Sequence, residues 1–307
     1  MLISFIIVNY KKPLLTVKCI DSIVKNIKSM SYEIIVVDNN SQDDSKQIIE
    51  KCKNIKYIGS ANNVGFGAGN NIGVNVSSGK YLLLINPDVI IEDEKAITAC
   101  LHKAEEDETI GVLGCKMLNE DRSVQSFTST IARYGKILDR NLLFSKIIPP
   151  KKYKIEAIMG AFMFIPSKIM KECKGFDPDF FMYSEEIDLC NRIRKLGYKI
   201  VFLEDVSVIH KNGGSTPNRI WANKQSKLST ALLFYKVHGF FGYLLYHFIY
   251  VFNICTNFFL MWLLDNQYRK DFFKETKFYF SGFFKYISIP ILYRRKIGKG
   301  KRQLKAK

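Results

Sequence analysis

Short unbroken apolar runs and helical stripes alternate along the first half of the chain. Residues 2–8, 33–37, 55–58 and 81–85 are dense in Ile, Val and Leu. A strand covered on both faces reads this way, because it has no solvated side for polar residues to occupy. Between the first two runs, Pro13 heads a stretch in which Leu14, Val17, Ile20 and Val24 recur at helical spacing. That predicts a helix with one apolar stripe, and proline is tolerated in its first turn because the N–H it lacks has no partner there. Residues 43–52 repeat the helical reading before the third run. Strand–helix alternation predicts an α/β fold, a mainly parallel sheet flanked by helices.

The rhythm then weakens. Residues 118–153 are polar and weakly patterned, with Pro149-Pro150 near their end, and read as a loop-rich insertion without an assigned role. Regular pattern returns over 155–166, a helix is expected from near Ser184, and strands over 199–203 and 206–209. After residue 215 the alternation is gone, so an α/β domain is expected over 1–220 and a helical region over 221–307.

Residues 237–264 contain no Asp, Glu, Lys or Arg. At about 1.5 Å per residue such a helix is long enough to cross a bilayer. Yet Tyr243, His247, Tyr250, Asn253 and Asn257 lay a polar stripe along one side, while Phe240, Leu244, Phe248, Val251, Phe258 and Trp262 occupy the other. A striped helix suits an interface better than hydrocarbon on all sides. Residues 272–293 then mix Phe and Tyr with Lys274, Lys277 and Lys285, and Arg294-Arg295-Lys296 follows. Aromatic residues beside Lys and Arg mark a cytoplasmic membrane interface. Three readings stay open: a monotopic anchor, a spanning helix or hairpin, and a soluble helical cap.

Composition narrows the class. A hydrophobic fraction of 47% beside 24% charged residues provides for an ordinary globular core. The net charge of +17 is uneven, with thirteen Lys or Arg against three acids from residue 265 onward. Such a tail attracts polyanions, either nucleic acid or an anionic leaflet. It adjoins an aromatic, uncharged segment and carries no recognised nucleic-acid-binding motif, which favours the membrane surface over a nucleic-acid partner. The seven cysteines, at 19, 52, 100, 115, 173, 190 and 255, are odd in number and lack CxxC spacing. Reduced thiols in a cytosolic compartment are expected, with neither a disulfide framework nor structural zinc. The opening apolar run is too short for a signal sequence and lacks a basic lead.

Candidate chemistry gathers at strand ends. Asp38 ends the second run, where a carboxylate can accept hydrogen bonds from a nucleobase or ribose, or simply make an Asx turn with Asn39. Residues 65–73 are Gly-rich, but Gly65-x-Gly67 would need glycine at 70 for a dinucleotide fingerprint, and Asn70 stands there. This disfavours a nicotinamide oxidoreductase and leaves a tight turn feeding a helix, built either for backbone approach to a ligand or for helix–sheet packing. Asn86-Pro87-Asp88 follows the fourth run; an acid there can hold a divalent cation bridging a diphosphate, while the bland alternative is a turn. Ser184 is an expected N-cap for a helix whose first turn holds Glu185, Glu186 and Asp188. Acids stabilise a helix start, and Asp188 can pair with Arg192, but at about 100° per residue the three cannot share one solvated face. At least one faces inward, where it can act as a general base. His210 ends the last strand before a Gly turn and is either structural or a metal ligand.

The order of these motifs is more specific than any one of them. The set Ile35-Val36-Val37-Asp38-Asn39-Asn40-Ser41, Asn62-x-x-Gly65-Phe66, Asn86-Pro87-Asp88, Gly160-Ala161-Phe162, Phe180-Phe181-Met182-Tyr183-x-Glu185-Glu186-x-Asp188-Leu189-Cys190 and His210 resembles family 2 glycosyltransferases, on their rhamnosyltransferase-like branch. The resemblance covers about residues 1–215. It implies the GT-A fold, a Rossmann-like domain, here with a C-terminal helical, membrane-associating region. It also implies inverting transfer from a nucleotide-sugar, a dTDP- or UDP-sugar with dTDP-rhamnose first, to a glycan or lipid-linked acceptor at the cytoplasmic face of the membrane. The nucleotide-sugar set becomes Asn9, Asp38, Asn40, Asn62, Gly65, Asn86 and Asp88. Asp88 and His210 become ligands of Mg²⁺ or Mn²⁺, Glu186 (with Glu185 as the lesser contender) the catalytic base, and Glu185 and Asp188 the acceptor contacts. Asn86 replaces the first acid of the family's Asp-x-Asp motif, which keeps open a binding protein that holds nucleotide-sugar without turnover. The motifs specify no oligomeric state.

Overall fold

The computed structural model describes residues 1–125, 133, 155–211 and 219–260, with 269–270, 272–273, 276–277, 280 and 289–290. They fall into two compact units, Met1–Ile131 with Tyr153–Pro217, and Ala132–Lys152 with Asn218–Lys307.

The first unit is a covered sheet. In chain order it runs β1 (Ile3–Asn9), α1 (Pro13–Asn26), β2 (Tyr32–Asp38), α2 (Ser45–Ile49), β3 (Ile55–Gly59), α3 (Phe66–Asn75), β4 (Tyr81–Ile85) and β5 (Val89–Ile90). It continues through α4 (Lys95–Glu106), β6 (Ile110–Leu118), β7 (Phe162–Pro166), α5 (Ser167–Glu172), α6 (Glu185–Lys195) and β8 (Lys199–His210). The strands stand in the order β3-β2-β1-β4-β7-β6-β8-β5. The first four are parallel, as the alternation predicts, and β6 and β8 are parallel to each other. The sheet is nonetheless mixed, because β7 runs antiparallel to both β4 and β6, and β5 antiparallel to β8. An apolar run of two-sided burial reads the same in either direction, so pattern alone does not report strand sense.

Side-chain alternation divides the core between the two faces of the sheet. Phe5, Ile7, Leu83 and Phe164 pack with Ile20 and Ile23 of α1 and Ile97 and Cys100 of α4. Ile6, Leu82, Leu84 and Met163 pack on the other face with Ile169 of α5 and Leu189 and Ile193 of α6. Helix α3 lies close on β1: a Cβ at Gly73 would stand 2.5 Å from Ile6 Cγ2. Part of the Gly-rich segment therefore serves helix–sheet packing. The strands expected over 199–203 and 206–209 are one strand with an irregularity, since pairing jumps from Cys115↔Leu203 to Lys116↔Ser207. Glu204 and Asp205 sit exposed at that bulge, which makes the apolar pattern look broken. The seven cysteines are all free thiols.

In the second unit, α7 (Arg219–Leu260) breaks at Gly239, whose φ of 71° and ψ of −168° no helix adopts. The two arms fold back on each other: Lys227 Nζ donates to Tyr250 Oη at 2.7 Å, the Phe234 and Tyr246 rings lie 4.6 Å apart, and those of Tyr235 and Tyr243 5.9 Å apart. Tyr243, Asn253 and Asn257 of the expected polar stripe are buried, while Phe240, Leu244, Phe248 and Phe258 of the apolar side are exposed. Val251 is half-buried. Trp262, residues 212–218 and the basic segment 291–307 lie outside the described residues, as does most of 126–154.

Candidate active site

The carboxyl ends of β1, β2 and β4 open on one edge of the sheet, where α/β folds bind ligands. Asp38 closes β2 and Asn9 closes β1 beside it, in register. Asn9 Nδ2 donates to Asp38 Oδ1 at 2.7 Å and to Ser41 Oγ at 3.1 Å, while Thr16 Oγ1 donates to Asn9 Oδ1 at 2.8 Å. Ser41 adds its backbone N–H to Asp38 Oδ2 at 3.1 Å and its hydroxyl to Oδ1. The Tyr57 hydroxyl is pushed up to about 12 by burial and then by the Asp38 charge, with which it also shares a hydrogen bond. The Asx-type turn is thus present, and it fixes the orientation of a carboxylate at the strand mouth. Asn9 is fully buried and engaged at both ends of its amide, so it stands behind Asp38 rather than at the ligand surface. Asn40 is half-buried and left-handed, with φ 61°.

The next side chain, Asn39, ties this strand end to the Gly-rich turn. Its Nδ2 donates to Asn63 Oδ1 at 2.9 Å and to the Gly65 carbonyl at 3.0 Å, and its Oδ1 accepts the Val64 N–H at 3.0 Å. Asn62 is exposed, and its carbonyl accepts the Ser60 hydroxyl at 2.7 Å; the side chain wired into the turn is that of Asn63. Gly65 has φ 88°, and a Cβ there would lie 2.0 Å from the Phe181 carbonyl oxygen. The same oxygen accepts the Phe66 N–H at 2.9 Å. Glycine is required because the 181–184 segment is laid directly on the turn.

That segment delivers the acids. Tyr183 and Ser184 are both left-handed, at φ 68° and 66°, and α6 begins at Glu185. Ser184 occupies the N-cap position, but its side chain makes no capping bond, because the left-handed backbone turns it away from the geometry a cap requires. Glu185 is buried, Glu186 half-buried. Burial, reinforced by the Glu186 charge, raises the Glu185 carboxyl well above its ordinary value, and burial pushes Glu186 up to about 7. Glu185 Oε2 is buried without a hydrogen-bond partner among the described residues. Asp188 is drawn into structure: Arg192 Nε donates to it at 2.7 Å, and Arg192 Nη1 donates to the Cys173 and Gly175 carbonyls at 2.6 and 2.8 Å. Of the three acids, Asp188 takes the helix-pairing role and the two glutamates the inward one.

Asp88 and His210 meet through β5. The strand pairs Val89 with His210, and the Lys211 N–H donates to the Asp88 carbonyl at 2.9 Å. His210 Nε2 then lies 3.5 Å from Asp88 Oδ1, both side chains being nearly buried. Gln125, inside the stretch assigned no role, contacts His210 Nδ1 at 2.8 Å. Among the described residues no group of three or more His, Cys, Asp or Glu side chains is gathered as a metal cage. One carboxylate and one imidazole fit Mg²⁺ or Mn²⁺ with a substrate, since those ions keep several waters and take phosphate oxygens. Asn86 Oδ1, two residues away, is buried without a hydrogen-bond partner among the described residues and is a further oxygen donor.

These parts form one chain of contacts. The Asn86 N–H donates to the Ala161 carbonyl at 3.1 Å, and a Cβ at the adjoining Gly160 would lie 2.9 Å from the Phe66 ring and 3.9 Å from Glu186 Cβ. Asp38, the Gly65 turn, the glutamates and Asp88 with His210 are therefore linked around one rim. A cavity lined by Lys80, Glu105, Lys168 and Lys171 lies at the opposite end of β4 and shares no residue with it. Thr16, Ser41, Asn63 and Gln125 were not expected in the site. Thr16, a polar residue among core-facing positions of α1, carried a signal; Gln125 carried none.

Comparison with known proteins places this arrangement. The model of glycosyl transferase family 2 matches residues 4–173. The rhamnosyltransferase WbbL of Escherichia coli K12 is 28% identical over 201 residues, covering 60% of this chain and 75% of its own. The N-acetylglucosaminyl-diphospho-decaprenol L-rhamnosyltransferase of Mycobacterium tuberculosis is 24% identical over 208 residues, covering 60% of this chain and 67% of its own. Among solved structures, a mannosyltransferase from Pyrobaculum calidifontis in complex with GDP-Man and Mn²⁺ has a TM-score of 0.55 at 15% identity, over 76% of this chain and 63% of that one. At that identity the likeness is one of fold.

Proposed function

Because the chain belongs to glycosyl transferase family 2, we propose that it is an inverting, metal-dependent glycosyltransferase that moves a hexose, rhamnose first, from a nucleotide-diphosphate sugar to a lipid-linked or glycan acceptor. The observation that carries this reading is the continuous rim joining Asp38, Glu186, and Asp88 with His210.

Asp38, held in orientation from behind by Asn9 and Ser41, accepts hydrogen bonds from the base or ribose of the donor. Asp88 and His210 would hold the divalent cation, with Asn86 as a neutral oxygen donor, and the chemistry supplied there would be stabilisation of charge building on the leaving diphosphate. Glu186 takes the proton from the acceptor hydroxyl, whose oxygen attacks the anomeric carbon on the face opposite the nucleotide. A carboxyl pushed up to about 7 by burial suits that task, because its basicity is matched to neutral pH. Glu185 contacts the acceptor, and burial together with the Glu186 charge holds the proton on Glu185.

Two relatives bearing the name rhamnosyltransferase support a deoxyhexose donor, and the decaprenol-linked substrate in the name of one supports a lipid-linked acceptor. Association with the cytoplasmic face of the membrane is part of the proposal: the basic C-terminal sequence favours that face, and the apolar helix of the second unit supports membrane contact. The helix is long and apolar enough to cross a membrane by length and composition, but Gly239 divides it. Its exposed side carries Phe241, Leu245, Phe248, Phe252 and Phe259 at helical spacing, as a monotopic hairpin requires.

Glu186→Gln tests the base. Donor binding should survive, and transfer should fall by about 10²–10⁴; turnover near the unmodified rate removes Glu186 from that role. Asn86 in place of an acid favours one rival, a domain that binds nucleotide-sugar without turnover. Metal-dependent release of nucleoside diphosphate on mixing donor and acceptor separates the two.

A further inference from the structure

Gln125 holds His210 from two sides. Its Nε2 donates to the His210 backbone carbonyl at 2.5 Å and to Asn119 Oδ1 at 2.8 Å, and its Oε1 lies 2.8 Å from His210 Nδ1. Gln125 is 6% exposed, so water does not compete for these contacts. A backbone carbonyl only accepts, so the amide nitrogen must face it and the amide oxygen must face Nδ1. An oxygen that only accepts requires an N–H opposite it, and His210 therefore carries a proton on Nδ1. In the neutral ring with that proton on Nδ1, Nε2 carries the lone pair, and it lies 3.5 Å from Asp88 Oδ1. Two acceptors facing each other at that separation are the arrangement a cation between them satisfies. The β5–β8 pairing brings His210 to Asp88; the ring tautomer is set separately, by Gln125.

We propose that Gln125 is a positioning residue of the cation site, fixing His210 as the Nδ1–H tautomer so that Nε2 is the ligand atom. It touches neither donor nor cation and acts through the imidazole, as partners of metal-bound histidines do. The proposal rests on the reading that Asp88 and His210 hold the divalent cation.

The test uses the full chain with ¹⁵N-labelled histidine, four per chain, with the His210 signals identified by their loss in His210→Ala. In the metal-free protein, long-range ¹⁵N–¹H spectra should show Nδ1 protonated and Nε2 bare. Gln125→Met removes the acceptor at similar length. It should abolish the preference for Nδ1–H and weaken binding of Mn²⁺ alone, followed by the EPR signal of the aquo ion, by at least about tenfold. Gln125→Glu, whose protonated carboxyl presents an O–H to the His210 carbonyl and an oxygen to Nδ1, should keep Nδ1 protonated and Mn²⁺ affinity within about threefold when measured below the pH at which that buried carboxyl ionises, an answer that stands if Gln125→Met fails to fold. An Nε2–H tautomer in the unmodified protein, a Gln125→Met variant with unchanged tautomer and affinity, or loss of both in Gln125→Glu overturns the proposal. Mn²⁺ binding that is absent, or unchanged in Asp88→Asn, overturns the cation-site reading instead, while the metal-free tautomer still decides the role of Gln125.

Discussion

Replacing Gly65 by alanine should cost far more than its single methyl group suggests. Two costs act together. At φ 88° and ψ 178° the backbone occupies a region essentially reserved for glycine, a penalty of about 1–3 kcal/mol. The new Cβ would also stand 2.0 Å from the Phe181 oxygen, so the 181–184 segment must retreat by more than 1 Å to reach ordinary contact, on the order of a van der Waals correction. Retreat breaks the Phe66 N–H to Phe181 bond of 2.9 Å, worth about 0.5–1.5 kcal/mol. The sum is about 2–4 kcal/mol, which for a unit of this size lowers Tm by roughly 5–15 °C. Gly197 provides the control: it too has positive φ, 94°, but nothing lies within 4 Å of its Cβ position. Gly197→Ala measures the conformational cost alone and should lower Tm by only a few degrees, about 1–2 kcal/mol. Thermal unfolding of both variants, with transfer rate measured beside it, isolates the collision. Because the displaced segment leads into Glu185, Gly65→Ala should lose rate as well as stability. Equal Tm shifts in the two variants would refute the steric argument.

Other predictions follow from the same rim. The folded-state pKa values of Glu185 and Glu186 are raised, so the folded chain retains protons that the unfolded chain releases near pH 4.5, a typical carboxyl value. Their stabilising contribution is present below that pH and falls as pH rises, for Glu186 through about 7 and for Glu185 through its own raised value. Glu185→Gln should therefore raise Tm at pH 8 more than at pH 5.5, and equal gains at both pH values would reject the burial argument. Transfer should move in the opposite direction, rising through about pH 7 as Glu186 ionises, and a rate independent of pH from 5.5 to 8 would exclude Glu186 as base. Arg192→Met should destabilise the domain by about 2–3 kcal/mol in denaturant titration, below the ~3–5 of a fully buried pair, because the Arg192 side chain is 28% exposed. Phe241, 83% exposed beside the helix break, should support membrane contact: Phe241→Asp should reduce sedimentation with anionic vesicles on the order of tenfold, and an unchanged bound fraction would remove the hairpin from the membrane.

The parallel half of the sheet was legible because each strand is an unbroken apolar run and each ends at a polar residue, Asn9, Asp38 or Asn86, that announces the mouth. Antiparallel β7 was not, since burial carries no direction. Helix α4 and β6 passed unremarked although both are regular in the structure; their apolar positions are spaced without a motif to draw attention to them. At the candidate site, the titratable side chains at the strand ends were legible from sequence, and the neutral side chains that hydrogen-bond to them, Ser41 and Gln125 among them, were not. Asp88 and His210 are separated by more than a hundred positions and meet only through the two-residue β5, which no local pattern marks. Asn9 was expected to touch the donor, but a polar side chain at a strand end reads alike whether it faces ligand or neighbour, and here it faces Asp38. Asp188 was expected at the acceptor; its competing i,i+4 partner, Arg192, is the contact the structure contains.

The reversed sense of β7 has an architectural consequence. Parallel strands send their departing connections to the reaction rim, whereas β7 receives its arriving one there, with Phe162 paired to Ile85 and Pro166 at the far end beside Tyr81. The chain consequently enters β7 at the rim: the Ala161 carbonyl takes the Asn86 N–H, and Gly160 lies against the Phe66 ring and beside Glu186. Had β7 run parallel to β4, the same two residues would have stood at the far end of the sheet beside Tyr81, and the turn at Gly65 and the start of α6 would have lost the neighbour that spaces them from β4.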